Sequence, residues 1–126
     1  MTEKKYLIHD IETAEAGDLL AIVQDTKSAG YRLGQACATV AGDLLEVLYT
    51  FEKENIMKSY KVTIDAKAPE LQSITAIFSY AFIYENEMHD LFGITFKNLS
   101  LDYGGKYIVL AEPAPCNPAL KEGGEK

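Results

Sequence analysis

Four side chains able to act as acid, base or metal ligand fall within one short stretch. They are Glu85, Glu87, His89 and Asp90, inside Tyr84-Glu85-Asn86-Glu87-Met88-His89-Asp90-Leu91-Phe92-Gly93-Ile94-Thr95-Phe96. Glu85 and His89 stand four apart, which on a helix puts both on one side and within reach of a single ion. Zinc takes three protein ligands in catalytic sites and four in structural ones, and the only other histidine is His9, near the start of the chain. A small metal-dependent or hydrolytic enzyme using Glu85, His89 and Asp90 therefore stands as an alternative with an incomplete ligand set. Two glutamates suggest a general acid and base, but residues two apart on a helix diverge by about 200°, so Glu85 and Glu87 do not converge on one substrate.

Nucleophilic chemistry has less support. Ser59, Ser73, Ser79 and Ser100 lack the glycine context of a nucleophile elbow, and Cys116 lies among prolines with no histidine nearby. Cys37 alternates within a strand pattern and reads as a small core residue. The glycines at Gly30, Gly34 and Gly104-Gly105 lack the spacing and strand-to-helix setting of a phosphate loop. No catalytic apparatus is visible. The acidic stretch has a further peculiarity: no Lys or Arg occurs from Ala68 to Phe96, while Glu70, Glu85, Glu87 and Asp90 all do. Solvation, ion pairs with a distant part of the fold, and ion pairs with another chain are all open as its counterbalance.

The elements that must position these residues follow from periodicity. Leu19, Leu20, Ile22 and Val23 share a face over Thr13 to Ser28, Asp10, Glu12 and Glu15 sit near the positive end, and Gly30 supplies a stop, predicting a first helix. Arg32 to Ala41 and Leu44 to Phe51 flank Gly42-Asp43 as a hairpin, with Leu45, Val47, Tyr49 and Phe51 on one face. Ile56 to Ile64 alternates again, placing Tyr60, Val62 and Ile64 together. After Pro69, Ser73 suits a helix N-cap, and Ile74 to Phe92 contains neither proline nor glycine before Gly93, predicting a longer second helix. Ile94 to Phe96 reads as a short extended segment. Leu99 to Leu120, with Pro113, Pro115 and Pro118, reads as irregular or extended.

The expectation is an α+β fold: a three-stranded antiparallel sheet packed with an N-terminal helix and a longer C-terminal helix, then an extended tail. Residues 1–98 would form the domain, and residues 99–126 an extended arm with a polar end. The composition agrees with one domain: 126 residues, 48% apolar and 25% charged. The net charge of −7 and the single arginine, Arg32, argue against nucleic acid, anionic lipid and bidentate anion recognition. Two cysteines, Cys37 and Cys116, make neither a disulfide framework nor a four-cysteine metal site, and point to a reducing, cytosolic setting. The first residues carry no signal-like apolar run, and no stretch approaches a membrane span, so membrane contact is expected only through partners.

Tyr84 to Phe96 resembles the signature of the thirty-kilodalton NADH dehydrogenase family, a hydrophilic subunit of respiratory complex I. The order of elements upstream, from Ala14 on, is similar too. Two features depart from that family: Asn86 stands where arginine is usual, and the family's Gly-His-Pro-x-Leu-Arg-Arg continuation is replaced by Asn98 to Gly105. The shortened form looks like the small counterpart of that protein in energy-converting, membrane-bound [NiFe] hydrogenases. The resemblance implies a non-catalytic accessory subunit with no cofactor of its own, the [NiFe] centre and iron-sulfur clusters being held by partners. Those partners would be the large catalytic subunit and the small iron-sulfur subunit, on the cytoplasmic side of the cell membrane. The process would be ferredoxin-linked and ion-translocating. A NADH- or ferredoxin-linked quinone oxidoreductase, or a formate-hydrogen lyase, is the alternative complex. An acidic helix end bearing aromatics suits a basic partner surface, so the expected interface is Tyr84, Glu85, Glu87, His89, Asp90, Phe92, Gly93 and Phe96, with Glu85 and Glu87 anchoring the partner or bracing the helix end.

Overall fold

The structure is a computed structural model that describes residues 8–99 and 116–119. Strand β1 (Ile8–Thr13) leads through a 3₁₀ turn (Ala16–Asp18) into helix α1 (Leu19–Ser28). Strands β2 (Arg32–Ala41), β3 (Leu44–Lys53) and β4 (Ile56–Asp65) follow, then the short β5 (Glu70–Gln72). A second 3₁₀ turn (Ser79–Ala81) opens helix α2 (Phe82–Phe92), and β6 (Thr95–Lys97) succeeds it.

The expected meander is present, with β2 antiparallel to β3 and β3 antiparallel to β4. Gly42, at φ +64°, makes the first two-residue turn between Ala41 and Leu44. The α+β class is as predicted, but the strand count is larger. Strand β1 joins the open edge of β4 in parallel, giving the order β1-β4-β3-β2, and β5 pairs in parallel with β6 as a separate two-stranded sheet. Asp10 and Glu12 thus belong to a strand and not to a helix N-terminus. Pairing with β4 takes up the backbone groups of this β-branched segment, and Gly17 makes a helix across that point expensive by about 1 kcal/mol.

Helix α1 buries Leu19, Val23 and Thr26, three positions of one stripe, whereas Leu20 points to solvent. Gly30, at φ +96°, ends it as predicted. The predicted second helix is shorter than expected and begins only at Phe82. The Ser73 hydroxyl accepts the Thr75 N–H at 3.0 Å, a local side-chain turn that competes with helix. Ile74 to Phe78 then closes a single turn, and Phe78 is extended at φ −119°, ψ 96°.

One sheet face carries the core. Leu45, Val47, Tyr49 and Phe51 of β3 and Tyr60, Val62 and Ile64 of β4 are buried, as their alternation predicts. Against them pack Leu19 and Val23 of α1, Phe78 and Ala81, Met88 of α2, and Leu71, Ile94 and Phe96 around the small sheet. Each large apolar side chain sealed this way contributes about 1.5–3 kcal/mol. Cys37, expected in the core, is half-buried and pairs with Leu48 on the opposite face. The chain returns at Asn117, which is fully buried and donates to the carbonyls of Ala66 (3.0 Å) and Phe92 (2.8 Å). Most of the expected arm, residues 100–115 and 120–126, lies outside the described residues.

Candidate functional site

Helix α2 presents opposite chemistry on its two sides. Ala81, Glu85 and Met88 point inward, one turn apart, and Asn86 and Asp90 are buried beside them. Tyr80, Ile83 and Glu87 are exposed on the other side, with Tyr84 and Leu91 half-buried between. The divergence expected of Glu85 and Glu87 is realised in full: one carboxylate is 0% exposed and the other lies in solvent.

Glu85 sits where three elements meet. Its Oε2 accepts from the Tyr49 hydroxyl of β3 at 2.8 Å and from the Ile74 N–H at 3.0 Å, and its Oε1 accepts from the Ser73 hydroxyl at 2.6 Å. Since the Ser73 hydroxyl has a single proton, directed at Glu85, the 2.7 Å contact with Thr75 has the Thr75 hydroxyl donating. Burial raises the Glu85 carboxyl above the usual range, and the three donors pull it part of the way back. Burial also pushes the Tyr49 phenol well up, reinforced by the adjacent carboxylate. Exclusion of water thus favours the protonated form of this carboxyl more than solvent does, and no cation of the described residues forms an ion pair with it.

The remaining residues form the helix end. Gly93, at φ +75°, ends α2 in the left-handed region, its N–H donating to the His89 carbonyl at 2.8 Å. His89 Nδ1 donates to the Ile94 carbonyl at 2.8 Å, which fixes the proton on that nitrogen. Phe96 is buried in β6 opposite Leu71, and Phe92 is half-buried. Tyr84 reaches across to β2, donating to the Gly34 carbonyl at 3.2 Å. Asn86 donates to the Phe82 carbonyl, 2.9 Å away on its own helix. Glu85 and His89 therefore do not meet, since one faces the sheet and the other the chain beyond the helix. Among the described residues no three His, Cys, Asp or Glu side chains gather as metal ligands.

No motif in the sequence marks Tyr49, Ser73 and the Ile74 N–H as partners of Glu85. The available signal was Tyr49 itself, since a tyrosine on the core face of a strand must find a partner for its hydroxyl.

Fold and site together define an α+β protein in which a helix carrying a buried carboxylate is braced against a mixed four-stranded sheet. Residues 9–118 match the family model described as respiratory-chain NADH dehydrogenase, 30 Kd subunit, and the chain belongs to this family. Among solved structures it is similar to a chain of the membrane-bound sulfane sulfur reductase (MBS), an archaeal respiratory membrane complex. That similarity has a TM-score of 0.73 at 17% identity, over 87% of this chain and 69% of the other. It is also similar to the trypsin-resistant fragment of Nqo5, with a TM-score of 0.62 at 18% identity, over 69% of this chain and 77% of that one. No curated protein matches it. At these identities the structural likeness speaks for the fold, and the family match carries the membership. The chain is thus of the kind that serves as an accessory subunit of a respiratory complex. No helix among the described residues is long and apolar enough to cross a membrane.

Proposed function

We propose that the chain is a non-catalytic accessory subunit of a membrane-bound, energy-converting [NiFe] hydrogenase, docked on the large catalytic subunit in the cytoplasmic arm. The observation that carries this reading is the family match from residue 9 to residue 118, taken with the use of its central acid inside the fold. With Glu85 committed to Tyr49, Ser73 and Ile74, it braces α2, and the docking role passes to the outer side, where Glu87 is exposed and Tyr84 and Phe92 are half-buried. His89, Asp90, Gly93 and Phe96 set the helix end that presents this side. The [NiFe] centre and the iron-sulfur clusters belong, in this reading, to the large subunit and to a small iron-sulfur subunit, and ferredoxin supplies the electrons for an ion-translocating reaction. Membrane contact is made through partners.

A second reading keeps the role and changes the complex, and the likeness to a chain of a sulfane sulfur reductase complex favours it. Purification of the tagged chain from native membranes, with mass spectrometry and metal analysis of the recovered assembly, separates the two. A nickel-containing large subunit in stoichiometric amount is expected. A nickel-free partner set, whether of a sulfur reductase, a quinone reductase or another respiratory complex, would replace the hydrogenase reading, and recovery of the chain alone would remove both.

A further inference from the structure

Strand β2 is one of the two edge strands of the large sheet, and its two halves are treated differently. Its start is closed. The Tyr80 hydroxyl accepts the Leu33 N–H and donates to the Leu33 carbonyl, both at 2.9 Å, Tyr84 takes the Gly34 carbonyl, and a bulge interrupts the ladder at Gly34. From Gln35 to Ala41 nothing among the described residues bonds the outward backbone groups. Natural edges are usually guarded by lysine, proline, a bulge or an overlying loop. Gln-Ala-Cys-Ala-Thr-Val-Ala has no charge and no proline, and its one bulge lies before it.

The charges around this edge are one-sided. Glu87, on the outer side of α2 one turn beyond Tyr84, and Asp43, in the turn that follows β2, are exposed and make no ion pair among the described residues. The only cation on β2, Arg32, is held by Glu52 at 3.0 Å. Ile83 of α2 and Val40 of β2, each 42% exposed, add apolar surface. An uncharged open ladder between two unanswered carboxylates fits an incoming strand that is itself cationic.

We propose that the outer edge of β2, Gln35 to Ala41, is a docking strand for an extended segment of a partner subunit that alternates β-branched residues with Lys or Arg. The segment adds to the sheet by backbone hydrogen bonding while its cations answer Glu87 and Asp43. That the partner is a subunit of a respiratory complex rests on the function proposed above. A second copy of this chain is a poorer occupant, because it brings the same charge of −7 and its own unanswered Glu87 and Asp43.

Amide hydrogen exchange on the purified chain tests the edge directly, using a synthetic nonapeptide that alternates Val or Thr with Lys and a counterpart with Glu in place of Lys. The Lys peptide should slow exchange within Gln35 to Ala41 by about tenfold or more, as expected for amides drawn into a ladder. Val40→Lys and Gln35→Lys, at exposed positions that leave the unfolding midpoint in place, should each abolish the protection. Unchanged exchange with the Lys peptide, equal protection by the Glu peptide, or protection by self-association in sedimentation without peptide would each overturn the proposal. In the complex purified from membranes, the same amides should be slower than in the isolated chain. If the complex assembles with this edge exchanging freely, the docking strand is wrong and the accessory role stands. If no respiratory subunit accompanies the chain, the accessory role falls and the peptide result decides the edge.

Discussion

The two sides of α2 carry the same residue type to opposite ends. Glu85 and Glu87 lie two positions apart, yet the first is sealed among Tyr49, Ser73 and Ile74 and the second is free in solvent. The inner acid is answered by neutral donors of this chain, and its proton affinity rises because water is excluded. The outer acid is answered by nothing among the described residues of this chain. A run of acids without cations thus contains two separate devices: an internal brace, and a surface charge left for another molecule.

The largest effect should come from breaking the inner side. Glu85→Ala leaves three donors facing a cavity, and unsatisfied buried donors cost about 1–3 kcal/mol each, so a loss of roughly 3–5 kcal/mol is expected in urea unfolding. Glu85→Gln keeps the shape and an acceptor oxygen, and should lose less than half as much. Equal losses for the two variants would mean that the three donors need both carboxylate oxygens and that the packing of the side chain adds nothing. Tyr49→Phe removes one of the three donors and should cost about 1–2 kcal/mol by the same measurement.

The sign of the pH dependence sharpens the contrast. The Glu85 carboxyl is raised in the folded state, so the native protein holds that proton more tightly than the unfolded chain. Its contribution to stability is full below the ordinary glutamate range and is lost as pH rises through the folded value. Stability of the wild type relative to Glu85→Gln should therefore fall as pH increases from the ordinary glutamate value into the region just above it. A difference that rises with pH over that window would show that the three donors outweigh burial.

The helix end gives a smaller, backbone effect. Gly93 stands at φ +75°, where a side chain costs about 1–2 kcal/mol, so Gly93→Ala should lower the unfolding free energy by that amount. Gly93→Asn, which tolerates the left-handed region better, should lose less.

These contrasts also explain what the sequence made legible. Period-two alternation located the core faces of β3 and β4 because burying one side of a sheet fixes every second residue. Gly30 and Gly93 marked both helix ends because each must adopt a positive φ. Strand β1 was not legible, since its six residues alternate weakly and acquire their structure only by parallel pairing with β4, a contact far away in sequence. The sequence pattern overextends helix α2 because Ser73 has the type and place of an N-cap, while its hydroxyl is engaged by Thr75 and Glu85. In the site, the opposite facing of Glu85 and Glu87 followed from helical geometry alone. Which of them faces inward depends on where Tyr49 and Ser73 arrive, and that is a property of the whole fold.

The smallest effect on the isolated chain, and the one most informative about assembly, is expected at Glu87. Its side chain touches no cation among the described residues, so Glu87→Gln should leave the unfolding midpoint where it is. If the outer side of α2 meets a basic surface, the same change should lower recovery of the partner subunits and make that recovery less dependent on salt, because rim charges act through screened electrostatics. Glu87→Lys should lower it further, by placing like charges against each other. A variant that binds as the wild type does at every salt concentration would detach Glu87 from docking while leaving the inner brace untouched, since the two acids share a helix and no partner.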